Sequence, residues 1–420
     1  MRETYRIPLL NLLLGITGAI DLIDPRIATH QKRVAYIAFS LGREAGLSDA
    51  RLRDLIVAGV LHDIGALSYK ERLSMGQFET QSARHSEIGY HFLRRFSLFS
   101  GIADIVRFHH HHYEAAQQDH IPLESQVLSL ADRVETLILP ERNILTQVER
   151  ITRIVSGHRG GMFNPELTDA FIRLALKESF WFSAVSTSLD QILHAEASLP
   201  TLEMDLDALE SFTRFFAQLI DFRSRFTATH SIGVSACAEE LARLSGFNER
   251  QLRMMRIAGY LHDLGKLGVP LEILEKPGRL TAEEVDVIKG HPFYTYTVVR
   301  SISGLEEIAE WGALHHERLN GQGYPFHYQT GDLSLGSRIV AVADVFVALC
   351  EDRPYRAGMS QEKALKIITD MALDHHLDTA VVERLERHLA RINRARMEAQ
   401  QAAEREYQSF TEAISAGVAL

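Results

Sequence analysis

The sequence has few cysteines and few of the alternating apolar and polar runs that form strands. Its two cysteines, Cys237 and Cys350, form no CxxC pair. They therefore offer no disulfide framework. We expect both thiols to be reduced and the protein to be cytoplasmic.

A long hydrophobic run is also lacking. The uncharged run near the N-terminus extends only from Ile7 to Ile20 and contains Pro8, Asn11 and two glycines. It is short for a bilayer span, and no small-residue cleavage site follows it. We expect this run to form a buried helix, and we expect no membrane association.

Positive charge is not in surplus. The chain has 45 Lys and Arg against 55 Asp and Glu, which gives a formal net charge of -10. No global basic field is available to attract a nucleic-acid polymer. Bound metal ions and a few arginines can still reverse the field locally and favour a phosphate ester.

The pattern that is present is helical. Apolar residues recur at helical spacing over residues 34–46, 51–61 and 209–220, and Ser48 and Asn248 stand at N-cap positions. The expected fold is all-α. Pro200 and the acidic stretch after it predict a boundary, with domains over residues 1–199 and 200–395 and an exposed helical tail with little chemistry over 396–420.

An internal repeat organises the chain. Five segments of the first half recur in the same order in the second half, at an offset that grows from 200 to 212 residues. The pairs are Ala28-Thr29-His30 with Ala228-Thr229-His230, Leu61-His62-Asp63 with Leu261-His262-Asp263, His85 with His291, His109-His110 with His315-His316, and Ala131-Asp132 with Ala343-Asp344.

Each half therefore presents seven imidazole and carboxylate side chains in one order. They are His30, His62, Asp63, His85, His109, His110 and Asp132 in the first half, and His230, His262, Asp263, His291, His315, His316 and Asp344 in the second. Nitrogen and oxygen ligands without thiolates suit Fe, Mn, Zn, Ni or Co. Seven ligands suffice for two ions if Asp263 bridges them, and two ions would activate a bridging water beside a phosphoester.

The second half resembles the HD-GYP family of bacterial phosphodiesterases, within the HD superfamily, over about residues 205–390. The matching motifs are His262-Asp263, His315-His316-Glu317, Asn320 to Pro325, Ala343 to Phe346, and Asp352 to Arg356. The resemblance implies a bundle of helices and a metal-dependent phosphodiesterase. Its implied activity is hydrolysis of cyclic di-GMP to the linear dinucleotide pGpG or to GMP, with iron or manganese as the common metals.

The resemblance also implies roles for single residues. One metal would be held by His230, His262, Asp263 and Asp344, and the other by Asp263, His291, His315 and His316. Lys266 would contact the scissile phosphate and act with Asp263 in catalysis. Tyr324, Arg353 and Arg356 would help to bind the nucleotide.

Two positions of the second half depart from the family pattern. Phe226 stands where members with three metals carry a glutamate, so we expect two ions. Val347 stands where many members have an acidic residue, a change that suggests no consequence at this level.

The first half keeps the ligands and lacks the nucleotide-binding residues. Ala66 stands in place of Lys266, and no Gly-Tyr-Pro turn follows His110. It could be a metal-binding regulatory or structural duplicate, a second hydrolase, or a relic that binds nothing. We favour the first hypothesis, because buried unpaired histidines and carboxylates are costly without an ion.

The functional hypothesis is a phosphodiesterase in which a metal-bridging hydroxide attacks cyclic di-GMP. Hydrolysis of 3',3'-cyclic GMP-AMP is the alternative substrate reading. A cyclic-dinucleotide-binding signalling module with little turnover is the competing class, as is a hydrolase for another phosphate ester. Homodimerisation and partner proteins in signalling are both compatible with the sequence.

Overall fold

The computed structural model describes residues 4–21, 29–66, 83–116, 121–221, 229–352 and 357–418. Helices dominate this part of the chain, which confirms the all-α prediction. In the first half the elements are β1 (Tyr5–Pro8), α1 (Leu9–Asp21), α2 (His30–Glu44), α3 (Asp49–Leu61), α4 (Ala83–Arg94), α5 (Ala103–Arg107), α6 (Tyr113–Ala116), α7 (Leu123–Thr136), α8 (Val148–Gly157), α9 (Pro165–Ala175), α10 (Glu178–Ala184) and α11 (Leu189–Glu196).

The second half repeats this helical character. Its elements are β2 (Thr201–Met204), α12 (Leu206–Asp221), α13 (His230–Leu244), α14 (Glu249–Leu261), α15 (Leu271–Leu274), α16 (Ala282–Lys289), α17 (His291–Arg300), α18 (Glu306–Ala313), α19 (Leu335–Cys350), α20 (Gln361–Leu373), α21 (Thr379–Arg387) and α22 (Leu389–Val418). Short 3-10 turns cover Ser100–Ile102, Ile144–Gln147 and Leu264–Gly268.

The two predicted N-caps differ in their bonding. Asn248 forms a capping box at the start of α14, because its side chain accepts from the amide of Gln251 while the Gln251 side chain accepts from the amide of Asn248. Ser48 occupies the N-cap position of α3 without a side-chain cap bond. An N-cap bond of this kind contributes about 0.5–2 kcal/mol to helix stability.

The expected N-terminal helix begins two residues later than predicted. Ile7 lies in β1, which pairs with β2 in a two-stranded sheet. Helix α1 starts at Leu9, and Leu9, Leu10, Leu12 and Leu13 are buried as expected. The local sequence could not show the strand, because its partner lies almost 200 residues away.

The chain divides into two compact units. One comprises Pro8–Pro200 with Glu412–Leu420, and the other comprises Met1–Ile7 with Thr201–Thr411. The residues from 396 to 411, expected to form part of an exposed tail, group with the second half. They belong to α22, in which Ala403 and Phe410 are buried.

A common arrangement of helices carries the repeated residues in each half. Helix α2 packs against α3 and α7, and its counterpart α13 packs against α14 and α19. Tight packing of these helices brings residues from distant parts of each half together. No helix within the described ranges combines the length and apolarity that a membrane span needs.

Candidate metal centre

Helix ends deliver most of the repeated histidines. His30 and His230 are the first residues of α2 and α13, and His62 and His262 directly follow α3 and α14. At a helix terminus the side chain can point along the axis into a space enclosed by neighbouring helices. The aspartates come instead from helix interiors, Asp132 in α7 and Asp344 in α19.

The turn after each His-Asp step lies unusually close to the next ligand. A Cβ atom on Gly265 would stand 2.0 Å from the carbonyl oxygen of His291, and one on Gly65 would stand 2.1 Å from that of His85. Any side chain at either position would push the two backbone segments apart. Glycine therefore permits Asp263 and His291, or Asp63 and His85, to share one site.

In the second half, four side chains form a first ligand group. His230 Nε2 lies 3.7 Å from Asp263 Oδ2 and 3.2 Å from Asp344 Oδ1. His262 Nε2 lies 3.2 Å from the same Asp263 oxygen and 3.9 Å from the same Asp344 oxygen. Ligand atoms about 2.1 Å from a single ion lie roughly 3.0–3.4 Å apart, so the group can close around one cation with small shifts.

A second ligand group adjoins the first through the other oxygen of Asp263. Asp263 Oδ1 lies 3.2 Å from His291 Nε2 and 3.8 Å from His315 Nε2. His291, His315 and His316 place ligand atoms within 4.8 Å of one another. Asp263 thus stands between the groups, where a bridging carboxylate would stand.

Backbone carbonyls set the orientation of three of these rings. His262 Nδ1 donates to the carbonyl oxygen of Gly259 at 2.8 Å. In the same way His291 Nδ1 donates to Ile288, and His315 Nδ1 donates to Gly312, each at 2.7 Å. A proton on Nδ1 leaves the lone pair of Nε2 directed at the ligand group. Each ring is therefore in the tautomer that a metal ion requires.

The ionisation states of two side chains of the site are those that metal binding requires. Burial opposes ionisation of Asp263, but His262 and Lys266 outweigh it and hold the pKa of this carboxyl well below its usual range. Burial and the neighbouring His291 lower the pKa of His316 to about 3. At neutral pH the group presents carboxylate oxygens and a neutral imidazole, the forms that bind metal.

Two buried polar atoms of the site are suited to bind a cation. His262 Nε2 and Asp263 Oδ1 are buried and have no hydrogen-bond partner. Leaving such atoms unpaired costs roughly 1–3 kcal/mol each, whereas a cation would satisfy both. The residues present therefore fit a divalent metal, in keeping with the nitrogen and oxygen donor set.

Lys266 lies at the edge of the site. Its Nζ donates to Asp263 Oδ2 at 2.5 Å, and its side chain is 18% exposed. Ala66, the counterpart in the first half, is a buried apolar residue. The structure thus brings Lys266 to the ligands, as the sequence predicted, and gives it Asp263 as a partner.

The loop after His316 is fastened beside the ligands. The buried carboxylate of Glu317 accepts from the amides of Phe326 and Tyr328 at 2.7 and 3.0 Å. The ring of Tyr324 stacks on that of His316, with centroids 4.8 Å apart. Tyr324 is therefore next to the second ligand group, where it can contact a bound ligand.

Three positions used in the sequence argument lie outside the described residues. They are Arg353, Arg356 and Phe226. The expected nucleotide contacts of the two arginines and the loss of a third metal ligand at Phe226 stay predictions.

The first half builds the same first ligand group. His30 Nε2 lies 3.5 Å from Asp63 Oδ2 and 3.5 Å from Asp132 Oδ1, and His62 Nε2 lies 3.3 and 3.8 Å from these two oxygens. His62 Nε2 and Asp63 Oδ1 are buried without a hydrogen-bond partner, as are their counterparts in the second half. This group fits an ion as well as its counterpart does.

The second ligand group of the first half differs at one ring. Arg133 Nη2 lies 3.0 Å from His110 Nδ1. A guanidinium can only donate, so this bond places the proton of the neutral imidazole on Nε2. That nitrogen faces His85 Nε2 at 2.9 Å and has no lone pair for an ion. Val345 replaces Arg133 in the second half.

Sequence reasoning missed the residues behind the ligands. His30 Nδ1 donates to Glu135 at 2.6 Å, and His230 Nδ1 donates to Glu351 at 2.8 Å. Alignment of the repeat at its offset of 212 residues pairs Glu135 with Val347, which was a signal that a carboxylate had changed place. Arg133 could have been found in the same way, as a charge opposite Val345.

Comparison with known proteins agrees with two related halves. A family model described as an HD domain matches residues 214–381, and a second HD-domain model matches residues 27–137. The chain is similar to 3'3'-cGAMP-specific phosphodiesterase 1 of Vibrio cholerae, with 30% identity over 382 residues that cover 88% of this chain and 89% of that protein.

Another relative matches part of the chain, and a solved structure matches the overall fold. The cyclic di-GMP phosphodiesterase response regulator RpfG of Xanthomonas campestris is 37% identical over 183 residues, which cover 42% of this chain and 46% of that protein. The crystal structure of V-cGAP3, a cyclic GMP-AMP-specific phosphodiesterase of Vibrio cholerae, aligns with a TM-score of 0.62 at 24% identity. It covers 92% of this chain and 98% of the solved chain, and it supports the fold. With an HD domain in each half and similarity over most of its length, the chain belongs to the HD-GYP family of metal-dependent cyclic-dinucleotide phosphodiesterases, and it carries an additional HD domain.

Proposed function

We propose that the second half hydrolyses a 3',3'-linked cyclic dinucleotide at two divalent metal ions. The observation that carries this proposal is the pair of adjoining ligand groups that share Asp263, with Lys266 and Tyr324 alongside. His230, His262, Asp263 and Asp344 would hold one ion, and Asp263, His291, His315 and His316 the other. Iron or manganese suits these ligands.

Two bound ions would supply an activated water and neutralise charge on the phosphodiester. Lys266 then changes its role. Asp263, if it held a metal ion, would share less of its charge with Lys266, whose Nζ would then be available for a phosphate oxygen. A cation in that place is worth most when negative charge develops in the transition state.

Tyr324 and its loop provide a surface for the nucleotide. The ring already stacks on His316, so its other face and its hydroxyl can meet a base or a sugar. Glu317 holds the loop in this place through two backbone amides, which reduces the conformational entropy lost when the ligand binds.

Two substrates have specific support. A relative that is similar over most of this chain is named for 3'3'-cGAMP, and RpfG, similar over 42% of this chain, is named for cyclic di-GMP. We propose both as substrates of this chain. Initial rates on each nucleotide, measured with the same reconstituted enzyme, establish the preference.

We propose a different role for the first half, as a metal-binding regulatory or structural domain that holds a single ion. Its first ligand group has the geometry of the catalytic one. Arg133 supports the single-ion stoichiometry, because it fixes His110 in the tautomer that cannot bind metal. The lack of a lysine at Ala66 speaks against an equivalent hydrolytic site.

The test is product analysis by chromatography on full-length protein reconstituted with Mn²⁺ or Fe²⁺. Asp263→Ala should abolish turnover of both nucleotides, because it removes the shared ligand of both groups. Asp63→Ala is the matched control, since it removes the equivalent residue of the first half and should keep measurable turnover. Unchanged hydrolysis by Asp263→Ala would refute the proposed mechanism.

A further inference from the structure

The carboxylate behind the first histidine comes from different positions in the two halves. In the first half His30 Nδ1 donates to Glu135 Oε2 at 2.6 Å. The counterpart of Glu135 is Val347, whose side chain is fully buried. The second half has therefore lost the carboxylate at the position where the first half keeps it.

Glu351 replaces the lost carboxylate from one helical turn further on. It follows the last residue of α19, and its Oε2 accepts from His230 Nδ1 at 2.8 Å. Its side chain is only 9% exposed. A residue four positions after Val347 lies on the same face of the helix, which explains how it can reach the same ring.

The side chain that contacts the other carboxylate oxygen also differs between the two halves. In the first half Arg33 Nη1 lies 3.5 Å from Glu135 Oε1. In the second half Gln400 of α22 donates from Nε2 to Glu351 Oε1 at 2.5 Å. A side chain from the C-terminal helix thus replaces one from the helix that begins with the histidine.

Gly233 makes this replacement possible. It stands at the position of Arg33 in the repeat. A Cβ atom on Gly233 would lie 2.7 Å from Gln400 Nε2 and 3.0 Å from Gln400 Cδ. The absent side chain leaves the room that the glutamine occupies. Three positions of the repeat have therefore changed in a mutually consistent way.

A carboxylate behind a metal-binding histidine has a known physical effect. It accepts the Nδ1 proton, fixes the ring orientation and makes Nε2 a stronger donor to the metal. His262, His291 and His315 use backbone carbonyls for this purpose, whereas His230 uses the carboxylate of Glu351. A buried carboxylate in turn needs its own donors, and Gln400 is one of them.

We propose that Glu351 and Gln400 are positioning residues of the catalytic metal centre, and that helix α22 is thereby part of that centre. Gln400 holds Glu351, and Glu351 orients His230 toward the ion that it shares with His262 and Asp344. The inference rests on the proposed function, because it assigns partners to a ligand of that centre. A change in α22 would reach the metal through two hydrogen bonds.

The test measures Mn²⁺ binding by calorimetry on chelator-treated full-length protein that carries Asp63→Ala to remove first-half binding. Glu351→Ala should weaken the affinity for one ion about 10–100-fold, the usual range for such partners. Gln400→Ala should have a smaller effect in the same direction. Gln401→Ala, on an exposed neighbour in α22, is the matched control and should bind as the parent does.

Relocating the carboxylate separates positioning from general stability. Val347→Glu combined with Glu351→Ala restores the arrangement of the first half and should recover much of the lost affinity. Gly233→Ala should also weaken Mn²⁺ binding, because its Cβ would displace Gln400 while both hydrogen-bonding residues are kept. Glu351→Gln, which preserves the size of the side chain, serves where the alanine variant does not fold, and it should also lose affinity.

The outcomes distinguish this inference from the proposed function. If the Asp63→Ala parent binds no Mn²⁺, the proposed metal centre is wrong. If the parent binds two ions and the Glu351 and Gln400 variants bind them equally well, the positioning inference is wrong and the centre stands. If Gln401→Ala lowers thermal stability and Mn²⁺ affinity as much as Gln400→Ala does, the specific role of Gln400 is also wrong.

Discussion

The two halves agree in their first ligand group and differ in several of the side chains around it. The four distances from the histidine Nε2 atoms to the aspartate oxygens span 3.3–3.8 Å in the first half and 3.2–3.9 Å in the second. Yet only the second half has Lys266 and the loop anchored by Glu317. The same candidate ligands therefore do not imply the same activity in both halves, because the chemistry also depends on the groups that face the ligands.

The comparison also shows how a site can be reduced without losing a ligand. All seven candidate ligand residues of the first half are present, and the bond from Arg133 to His110 favours the tautomer of His110 with its proton on Nε2. A count of candidate ligands would assign both halves two ions, whereas the bond between Arg133 and His110 is the reason that we propose a single ion for the first half.

The largest expected difference concerns Lys266. Lys266→Ala should lower kcat about 10²–10³-fold, the effect of removing one group that stabilises transition-state charge. Mn²⁺ stoichiometry should be unchanged, since lysine is not a ligand. The reciprocal variant Ala66→Lys tests the first half and should not create activity there, measured in an Asp263→Ala background. A wild-type kcat in Lys266→Ala would contradict the assigned role.

A smaller effect is expected at the loop anchor. Glu317 accepts two backbone amides, and its counterpart in the first half is His111. Glu317→Gln keeps the shape but has a single acceptor oxygen, so one buried amide loses its partner at a cost of about 1–3 kcal/mol. KM for the nucleotide should rise about tenfold or more while ion stoichiometry is kept. Steady-state kinetics and metal analysis check both parts.

The proposed difference in ion number can be tested by exchanging two residues. Arg133→Val removes the donor to His110 and should let the first half take up one ion more per chain. Val345→Arg introduces the donor beside His316 and should cost the second half one ion, together with activity. Elemental analysis after reconstitution with Mn²⁺ measures both. Equal metal content in all three proteins would refute the tautomer argument.

The smallest expected difference between the halves is in their response to acid. Burial, the largest cause, lowers the pKa of His315 and of His109 well below the ordinary value of 6.5. In the metal-free protein below pH 6.5, these histidines become protonated in the unfolded chain but stay neutral in the folded one. Stability should therefore be full above pH 6.5 and should fall as the pH drops toward the folded pKa values.

The two tryptophans report the unfolding of the two halves separately. Trp181 is buried in the first half and Trp311 in the second, so Trp311→Phe and Trp181→Phe leave one reporter each. Fluorescence-detected urea unfolding at several pH values should show this fall in the second half. In the first half the fall should be smaller, because the effect of burial on His30 is outweighed by Glu135 and Asp63, which raise the pKa of this imidazole. A larger fall in the first half than in the second would contradict this prediction.

Much of the centre was predictable because the repeat marked it. Two copies of one ordered series exclude most chance matches, so the histidines and aspartates that the structure brings together in each half could be named from the sequence; their role as metal ligands stays a prediction. The N-cap at Asn248 followed from local sequence as well. Strand β1 was missed because four residues with a distant partner carry no periodic signal. Arg133, Glu135 and Glu351 were missed because they act through contacts and do not share the ligand pattern.

The sequence by itself determined the helical class, the duplication, the ordered series of histidines and aspartates, and the family, since each depends on residue type and spacing along the chain. The tertiary structure alone decided which nitrogen of each histidine faces the ligands and which side chains stand behind them. Those features depend on distances between residues far apart in sequence, such as Gln400 and Glu351 or Arg133 and His110. No periodicity records such pairs, because they arise only when the helices pack.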